Sequence, residues 1–398
     1  MKPQIARAIL ALALAAVFAA TLTPGPPQQI PGIACLLCGE RAVADALLNV
    51  ILFLPIGIGL AQVGLPLKRT ILVGGLLSAG IELSQMVIPG RDPSVSDVMM
   101  NTTGTALGGF AVYSKIRWLE PAMAAAARMS LGAGAAAAAT VVATGILLRP
   151  SYPHDVYYGQ WTPNLAQLDW YRGRVLEASV GGVDLPDGEL AQSARARGLF
   201  LAGASLRVKA IAGPPTRRLG SVFSIADGHQ RTILLVGAER NDLIIQRRTL
   251  AADLRLDQPE VRFPGVMEGI SPGDTLNLSL RLDNRGFCAA LNRVSDCHLG
   301  YTVGTGWRLL YSGRSFPAWQ TALISLGWVA GLAFPFGFWL RVAWPSMAGA
   351  IILFAGLALV PVGTGLQPTS PWEWLAAVAG TAVGIGLRRF APAIRDPV

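Results

Sequence analysis

Long apolar stretches occupy both ends of the chain, and a more polar segment lies between them. A helix needs ~20 apolar residues to cross the hydrocarbon of a bilayer. Stretches near that length occur at about 7–23, 46–64, 70–88, 97–114, 130–148, 318–340, 346–364 and 372–387. The pattern therefore predicts a membrane all-α bundle of about eight transmembrane helices, five before the polar segment and three after it.

The basic residues fall in alternate turns between these stretches. If the N-terminus is cytoplasmic, the cytoplasmic turns and the C-terminal tail hold Lys68, Arg69, Lys115, Arg117, Arg128, Arg341, Arg388, Arg389 and Arg395. The short outer loops hold little beyond Arg41 and Arg91. By the positive-inside rule, both termini are predicted to be cytoplasmic and residues 150–317 to be extracytoplasmic.

The first apolar stretch resembles a signal peptide, because Lys2 and Arg7 precede an Ala/Leu core. It lacks a clear small-x-small cleavage site before Pro24, and further spans follow it. We therefore expect this stretch to be retained as a transmembrane helix.

The polar middle segment carries the signals of short strands. Residues 275–282 alternate strictly between leucines and polar residues, which predicts a strand with one buried and one solvent-exposed face. Similar runs occur at 206–211, 222–225, 232–236, 243–248 and 307–311. Turn signals such as Asp227-Gly228 separate them. Many short strands at this spacing predict an extracytoplasmic all-β sandwich.

Composition and charge agree with this division. Hydrophobic residues make up 52% of the chain and charged residues 14%, against roughly 25% charged residues in soluble domains. The net charge is +9, but most basic residues of the apolar parts lie in short turns rather than in a basic stripe. We therefore expect the lipid bilayer as a partner and no nucleic acid. The predicted domains are residues 1–148, 150–317 and 318–398.

The two apolar halves share an order of signals. The first contains Phe-Leu-Pro-Ile-Gly at 53–57 and Asn-Thr-Thr-Gly-Thr-Ala-Leu-Gly at 101–108. The second contains Phe-Pro-Phe-Gly at 334–337 and Ala-Val-Ala-Gly-Thr-Ala-Val-Gly at 377–384. This order predicts two parallel four-helix repeats, the second made of the fifth helix and the last three. Small residues at helix contacts also produce such similarity through composition, so that alternative stays open.

Polar residues recur in pairs within the second, third and fourth spans. The pairs are Asp45 and Asn49, Glu82 and Gln85, and Asp97 and Asn101. Members of a pair are three or four residues apart and therefore share a helix face. Charges within spans usually face the bundle interior or a water-filled cavity. We expect all six side chains to lie near the outer helix ends and to converge beneath the loop that carries Arg91.

These six residues and Arg91 are the predicted ligand-binding candidates. They suit a polar headgroup, a hard cation with oxygen ligands, or general acid/base chemistry, and the sequence decides among none of these. It assigns no catalytic residue, metal or cofactor. Interhelical hydrogen bonds near water are an equally open explanation. Near the corresponding positions, the second half holds Ser325, Val329, Ala358, Pro361, Glu373 and Ala377.

The ordered polar residues from Asp45 to Asn101, with the Gly90–Ser94 loop between them, resemble the VanZ-like family of bacterial membrane proteins. The resemblance covers about residues 7–117, and the second half looks like a degenerate copy. Founding members of that family are associated with low-level resistance to the glycopeptide teicoplanin. The resemblance therefore implies a protein of the bacterial cytoplasmic (inner) membrane with a role in the cell envelope, but no defined activity.

Three motifs of the middle segment are similar to strands of a concanavalin A-like or laminin G-like sandwich. They lie at Val222–Gly228, Asp242–Thr249 and Gly306–Leu310. That resemblance implies contact with an envelope glycan or a protein partner, and Trp161, Trp170 and Tyr171 are aromatic candidates. Packing of these aromatic residues against the membrane remains an open alternative.

The cysteines form two pairs in segments predicted to be outside the cytoplasm, where disulfides persist. Cys288 and Cys297 flank a predicted hairpin, and their spacing favours a cross-strand disulfide. For Cys35 and Cys38, a tight disulfide and two interfacial thiols are both open. A zinc site at this pair would need two further ligands, and none is near in sequence.

The leading hypothesis is an accessory envelope protein whose first-half helices bind a lipid-linked or glycopeptide-like ligand. The alternative is an enzyme or transporter that acts on a lipid-linked envelope precursor through Glu82 and Asp97. A third reading, in which both halves only anchor the β domain, explains the number of spans poorly.

Overall fold

The computed structural model describes residues 3–24, 39–91, 93–114, 118–165, 168–283, 286–313 and 316–389. The N-terminal half of its helical part consists of α1 (Pro3–Thr21), α2 (Ala42–Gln62), α3 (Leu67–Gln85) and α4 (Val95–Tyr113). These four helices are called the first bundle. The second bundle consists of α5 (Met123–Leu147), α8 (Ala318–Trp339), α9 (Trp344–Thr364) and α10 (Pro371–Arg388).

A β domain lies between α5 and α8. Its strands are β1 (Tyr157–Trp161), β2 (Arg174–Val180), β3 (Val183–Asp184), β4 (Gly188–Glu189), β5 (Ser205–Ile211), β6 (Gly220–Asp227), β7 (Thr232–Glu239), β8 (Asp242–Arg247), β9 (Val261–Phe263), β10 (Thr275–Asp283), β11 (Gly286–Leu291) and β12 (Val294–Leu299). Two short helices, α6 (Ser193–Leu201) and α7 (Leu250–Asp253), interrupt them.

The strands form two antiparallel six-stranded sheets, in the orders β4-β1-β6-β7-β8-β9 and β12-β11-β10-β5-β2-β3. Phe223 and Val236 of one sheet share a buried core with Leu206 and Leu280 of the other. The alternating leucines of residues 275–282 explain this packing, because their side of β10 is buried. The structure thus confirms a β domain beside helical parts.

One predicted strand, at Trp307–Tyr311, is wrong. The segment Val303–Leu309 forms a 3-10 helix instead, which starts at a capping box between Thr302 and Thr305. Glycines at 304 and 306 allow this tight turn to approach α5 and α8 closely. The short apolar run looked like a strand because buried strands and buried helical turns have similar composition.

Among the residues that the structure describes, four helices are long and apolar enough to cross a membrane by length and composition: α2, α5, α8 and α9. The apolar part of α1, Ala6–Thr21, is somewhat shorter. These helices support a membrane-embedded part of the protein.

Helices α2 and α4 cross in very close contact. Gly104 in α4 leaves no room for a Cβ beside the carbonyl oxygen of Val50, and Gly108 leaves none beside that of Leu54. Only glycine permits this backbone approach, which is typical of small-residue helix contacts in membranes. The Gly-Thr-Ala-x-Gly motif therefore forms the contact surface of the first bundle.

The second bundle contains a matching crossing between α8 and α10. Gly380 faces the carbonyl oxygen of Ala330, and Gly384 faces that of Phe334, again with no room for a Cβ. The third helices differ, however, because α3 packs on α4 whereas α9 packs on α5. The two bundles therefore share one helix pair in the same register but arrange another helix differently.

Candidate functional site

Three carboxylates approach one another at the end of the first bundle that faces the β domain. Asp45 lies in the first turn of α2, Glu82 in the last turn of α3 and Asp97 in the first turn of α4. Asp97 interacts electrostatically with both of the others. Helix N-termini stabilise the charges of Asp45 and Asp97, whereas the C-terminal end of α3 opposes that of Glu82. These three residues are called the carboxylate cluster.

Ser94, the N-cap of α4, connects two members of this cluster. Its backbone N–H donates to Oε2 of Glu82 over 2.7 Å, which offsets the unfavourable position of that carboxylate. The polar side chains of Ser94 and Asn49 both interact with the Asp97 carboxylate. Glu82 is buried, while Asp97 is only half-buried. Asp45 is exposed, so two of the three carboxylates in this polar arrangement remain accessible.

Asn101 extends the polar surface one turn deeper. Its Nδ2 donates to the Ser78 hydroxyl over 2.9 Å, while its Oδ1 is buried and has no hydrogen-bond partner among the described residues. Asn101 lies four residues after Asp97, and Ser78 lies four residues before Glu82, so both face the same α3/α4 cleft. A buried acceptor without a donor costs free energy unless a bound molecule supplies one.

Gln85 and Arg91 bind the end of α1 in this structure. Gln85 Nε2 donates to the Thr21 carbonyl over 3.0 Å. Arg91 donates through Nε to the Thr23 carbonyl over 2.8 Å and through Nη2 to the Ala20 carbonyl over 2.7 Å. These carbonyls end α1 and have no intrahelical donors of their own. Both side chains therefore hold the end of α1 in place rather than entering the carboxylate cluster.

Arg41 connects the cluster to the β domain. Its Nη2 lies 3.7 Å from Oδ1 of Asp45 and 3.1 Å from Oδ2 of Asp257, a buried β-domain residue. The backbone N–H groups of Val43 and Ala44, at the start of α2, donate to the Arg255 carbonyl. The β domain thus caps α2 directly beside the carboxylate cluster.

The second bundle holds one acidic residue at the corresponding end. Glu373, in the first turn of α10, is 4% exposed. Its Oε1 accepts the Gly304 N–H over 2.7 Å, and its Oε2 accepts the Ser370 N–H over 2.9 Å. Trp307 Nε1 donates to the Ser325 hydroxyl over 3.0 Å. The 3-10 helix of the β domain therefore occupies this end of the second bundle.

Ser370 and Gly304 were not predicted from the sequence, and Ser94 was named only as part of the Gly90–Ser94 loop. A usable signal existed for the two serines, because Ser-x-x-Asp at 94–97 and Ser-x-x-Glu at 370–373 both have the spacing of a capping box. Only the pair Ser370/Glu373 forms that box. No local signal identifies Gly304, since its contact with Glu373 joins residues far apart in the sequence.

A second acidic group lies in the β domain, where Asp155, Asp227 and His229 bring ligand atoms within 4.8 Å of one another. Asp227 already accepts hydrogen bonds from the backbone of His229 and from Arg231. The Val156 N–H and His229 lower the pKa of the Asp155 carboxyl by hydrogen bonding to it. These bonds account for the group as a turn network, as the Asp-Gly-His-Gln sequence suggests.

The remaining candidates of the β domain have structural partners or surface positions. A disulfide joins Cys288 in β11 to Cys297 in β12. Trp161 donates to the Leu185 carbonyl over 3.0 Å, and Tyr171 is buried. Of the three aromatic candidates, Trp170 is the exposed one, with the Arg172 guanidinium above its ring. Cys35 and Cys38 lie outside the described residues.

Residues 10–117 match the model of the VanZ/LLP1 family. The match includes the whole carboxylate cluster together with Asn49 and Asn101, and it ends before α5 and the β domain. No curated protein and no solved structure matches the chain. The first bundle is therefore similar to VanZ/LLP1 proteins.

Proposed function

We propose that this chain is a VanZ-like protein of the bacterial cell envelope that binds an envelope ligand at the carboxylate cluster. The observation that carries this proposal is the approach of Asp45, Glu82 and Asp97 at the end of the first bundle that faces the β domain. Ionisable side chains inside membrane helices are costly, and they usually mark a binding site or a pathway.

The structural alternative is that the polar residues only form interhelical hydrogen bonds, and it accounts for some of them. Gln85 and Arg91 donate hydrogen bonds to carbonyls at the end of α1. Glu82 also accepts the Ser94 N–H, and Arg41 lies 3.7 Å from Asp45. These contacts do not explain why three carboxylates approach one another, since like charges repel. The buried Oδ1 of Asn101 also lacks a donor among the described residues. These groups favour a ligand over a purely structural role.

The proposal includes eight transmembrane helices in two parallel repeats, with both termini in the cytoplasm. The matched glycine contacts of α2 with α4 and of α8 with α10 support the duplication. Ser94 and Asp97 also occupy the same turn of α4 as Ser370 and Glu373 occupy in α10. The different position of α9 fits a second copy that has diverged.

The β domain is proposed to lie outside the cytoplasm, above the outer end of both bundles. Its Cys288–Cys297 disulfide supports an oxidising compartment. Its contact with α2 through Arg41 and Asp257 puts it beside the carboxylate cluster. A concanavalin A-like domain in this position would present a glycan or protein partner to the membrane site.

The proposed ligand is lipid-linked or glycopeptide-like, and teicoplanin resistance is the expected phenotype. The test compares bacteria that express the wild type, Asp97→Asn, Glu82→Gln or Glu268→Gln in a host lacking its own VanZ-like gene. Glu268 is an exposed β-domain residue and provides a control for the loss of one carboxylate. Membrane levels of each protein are measured in parallel.

A binding function predicts that wild type and Glu268→Gln raise the teicoplanin concentration needed to stop growth, while the two cluster variants do not. Equal protection by all four proteins at equal membrane levels would remove the cluster from the function. The enzyme or transporter alternative additionally predicts turnover or flux of a lipid-linked precursor that Glu82→Gln abolishes.

A further inference from the structure

The carboxylate cluster presents acceptors and negative charge. In the described part of the chain, the groups acting on Glu82 and Asp97 are hydrogen-bond donors and other carboxylates, with no basic side chain among them. Arg91 donates to the carbonyls at the end of α1, and Arg41 is shared between Asp45 and Asp257. The charge balance therefore calls for a ligand that is cationic and rich in N–H donors.

The second bundle shows what its own corresponding site binds. There, a glycine backbone from the β domain approaches so closely that a Cβ on Gly304 would lie 2.7 Å from Oε1 of Glu373 and 3.1 Å from Cβ of Ser325. The Gly304 N–H donates to the carboxylate, and the Trp307 ring N–H donates to Ser325. The site of the second bundle is therefore filled by a peptide segment of the same chain.

The two sites differ in charge. Glu373 is the acid of the second site, and the position that matches Asp45 holds the neutral Ser325. One neutral backbone N–H and the α10 N-terminus suffice for that single carboxylate. The first site has three carboxylates and the unpaired oxygen of Asn101. A peptide segment that fills it must therefore bring positive charge as well as backbone donors.

The two bundles differ in which carboxylate accepts the N–H of the N-cap serine. In the second bundle, Glu373 accepts the N–H of its own N-cap, Ser370. In the first bundle, the N–H of Ser94 is taken by Glu82 from α3 instead. Asp97 is thereby released from capping its own helix and remains half-buried. Glu82 thus takes the backbone N–H that a capping box would have given to Asp97.

We infer that the carboxylate cluster binds a peptide-type ligand through a protonated amine and neighbouring backbone N–H groups, in the manner in which the second bundle binds Gly304. The inference rests on the proposed binding function and names the chemical class of its ligand. An amine-bearing peptide portion of an envelope precursor or of a glycopeptide has this chemistry.

The test uses the full chain in lipid nanodiscs and two peptide probes. Lys-Gly-Gly amide carries two ammonium groups and backbone donors, while its Nα,Nε-diacetyl form keeps the backbone but lacks the charge. Binding is measured by isothermal titration and by saturation-transfer NMR. We expect the charged probe to bind at least tenfold more tightly than the acetylated probe, and we expect the difference to shrink at high salt.

Variants assign the binding to the cluster. Asp97→Asn and Glu82→Gln are each expected to lower the affinity for the charged probe at least tenfold. Glu268→Gln is expected to leave that affinity unchanged. Thermal unfolding of each variant shows whether a loss reflects misfolding. The double variant, with both Glu82→Gln and Asp97→Asn, provides a second readout. If Glu82 acts through Asp97, the double variant should bind the charged probe no more weakly than Asp97→Asn alone.

Three results would overturn the inference: equal binding of both probes, binding that survives Asp97→Asn in a folded protein, or no peptide binding at all. Cluster-dependent binding of Ca²⁺ or Mg²⁺ in place of the peptide would likewise overturn it in favour of a cation site. If the peptide fails while Asp97→Asn still abolishes teicoplanin protection, the ligand class is wrong and the proposed function stands. If both fail, the proposed function falls as well.

Discussion

Glu373 in α10 accepts the backbone N–H of Gly304 over 2.7 Å, and this bond fixes the last turn of the β domain on the second bundle. Both partners are buried. Asp97 occupies the same turn of α4 but is only half-buried. One helix pair, used twice, thus supports a docking contact in one bundle and a candidate binding site in the other.

Replacing Glu373 is expected to destabilise the protein. Glu373→Ala leaves the N–H groups of Gly304 and Ser370 without an acceptor, at a cost of about 1–3 kcal/mol for each buried donor. Glu373→Gln retains one acceptor oxygen and is expected to lose less. Thermal unfolding in detergent measures both, with Asp97→Ala as the matched variant in the first bundle. An unfolding temperature for Glu373→Ala equal to that of wild type would contradict the docking role.

The glycine contacts between α8 and α10 predict a position-dependent effect within one helix. Gly380→Ala forces a methyl group against the Ala330 carbonyl and is expected to cost about 1–3 kcal/mol. Gly386→Ala has open space and is expected to be neutral or slightly stabilising. Gly104→Ala, which meets Val50 in the first bundle, should resemble Gly380→Ala. Similar unfolding temperatures for all three variants would show that the crossings are not tight.

Asp257 is expected to control the contact between the β domain and α2. Asp257→Asn removes the charge that Arg41 meets at 3.1 Å. Hydrogen exchange at the Val43 and Ala44 amides, which donate to the β domain, should then become on the order of tenfold faster. Asp274→Asn, in an exposed turn, is the control. Unchanged exchange at both amides would mean that the contact does not depend on this ion pair.

The disulfide predicts a redox-dependent stability of the β domain. Because Cys288 and Cys297 are nine positions apart, their bond is expected to contribute about 2–3 kcal/mol. The experiment compares unfolding with and without reductant in a background where Cys35 and Cys38 are serine. Replacing Cys288 and Cys297 with serine should reproduce the reduced protein and abolish the effect of the reductant. If reductant does not change the unfolding of the protein that keeps Cys288 and Cys297, the disulfide has no stabilising role.

The sequence determined those features that repeat over short distances. The leucine alternation of residues 275–282 predicted β10, because successive side chains of a strand face opposite sides. Apolar length predicted helices that are long enough to cross a membrane. The same local reasoning failed at Trp307–Tyr311, where a short apolar run fits a strand or a helical turn equally well.

Only the tertiary structure decided which polar residues share a site. Glu82 and Gln85 are neighbours on one helix face, yet Glu82 accepts the Ser94 N–H while Gln85 holds the end of α1. Likewise, Ser94 and Ser370 have the same capping signal. Only the Ser370 N–H, however, donates to the acidic side chain three residues later in its own helix. A hydrogen bond goes to whichever partner the packing of other helices brings near, and that partner leaves no mark in the local sequence.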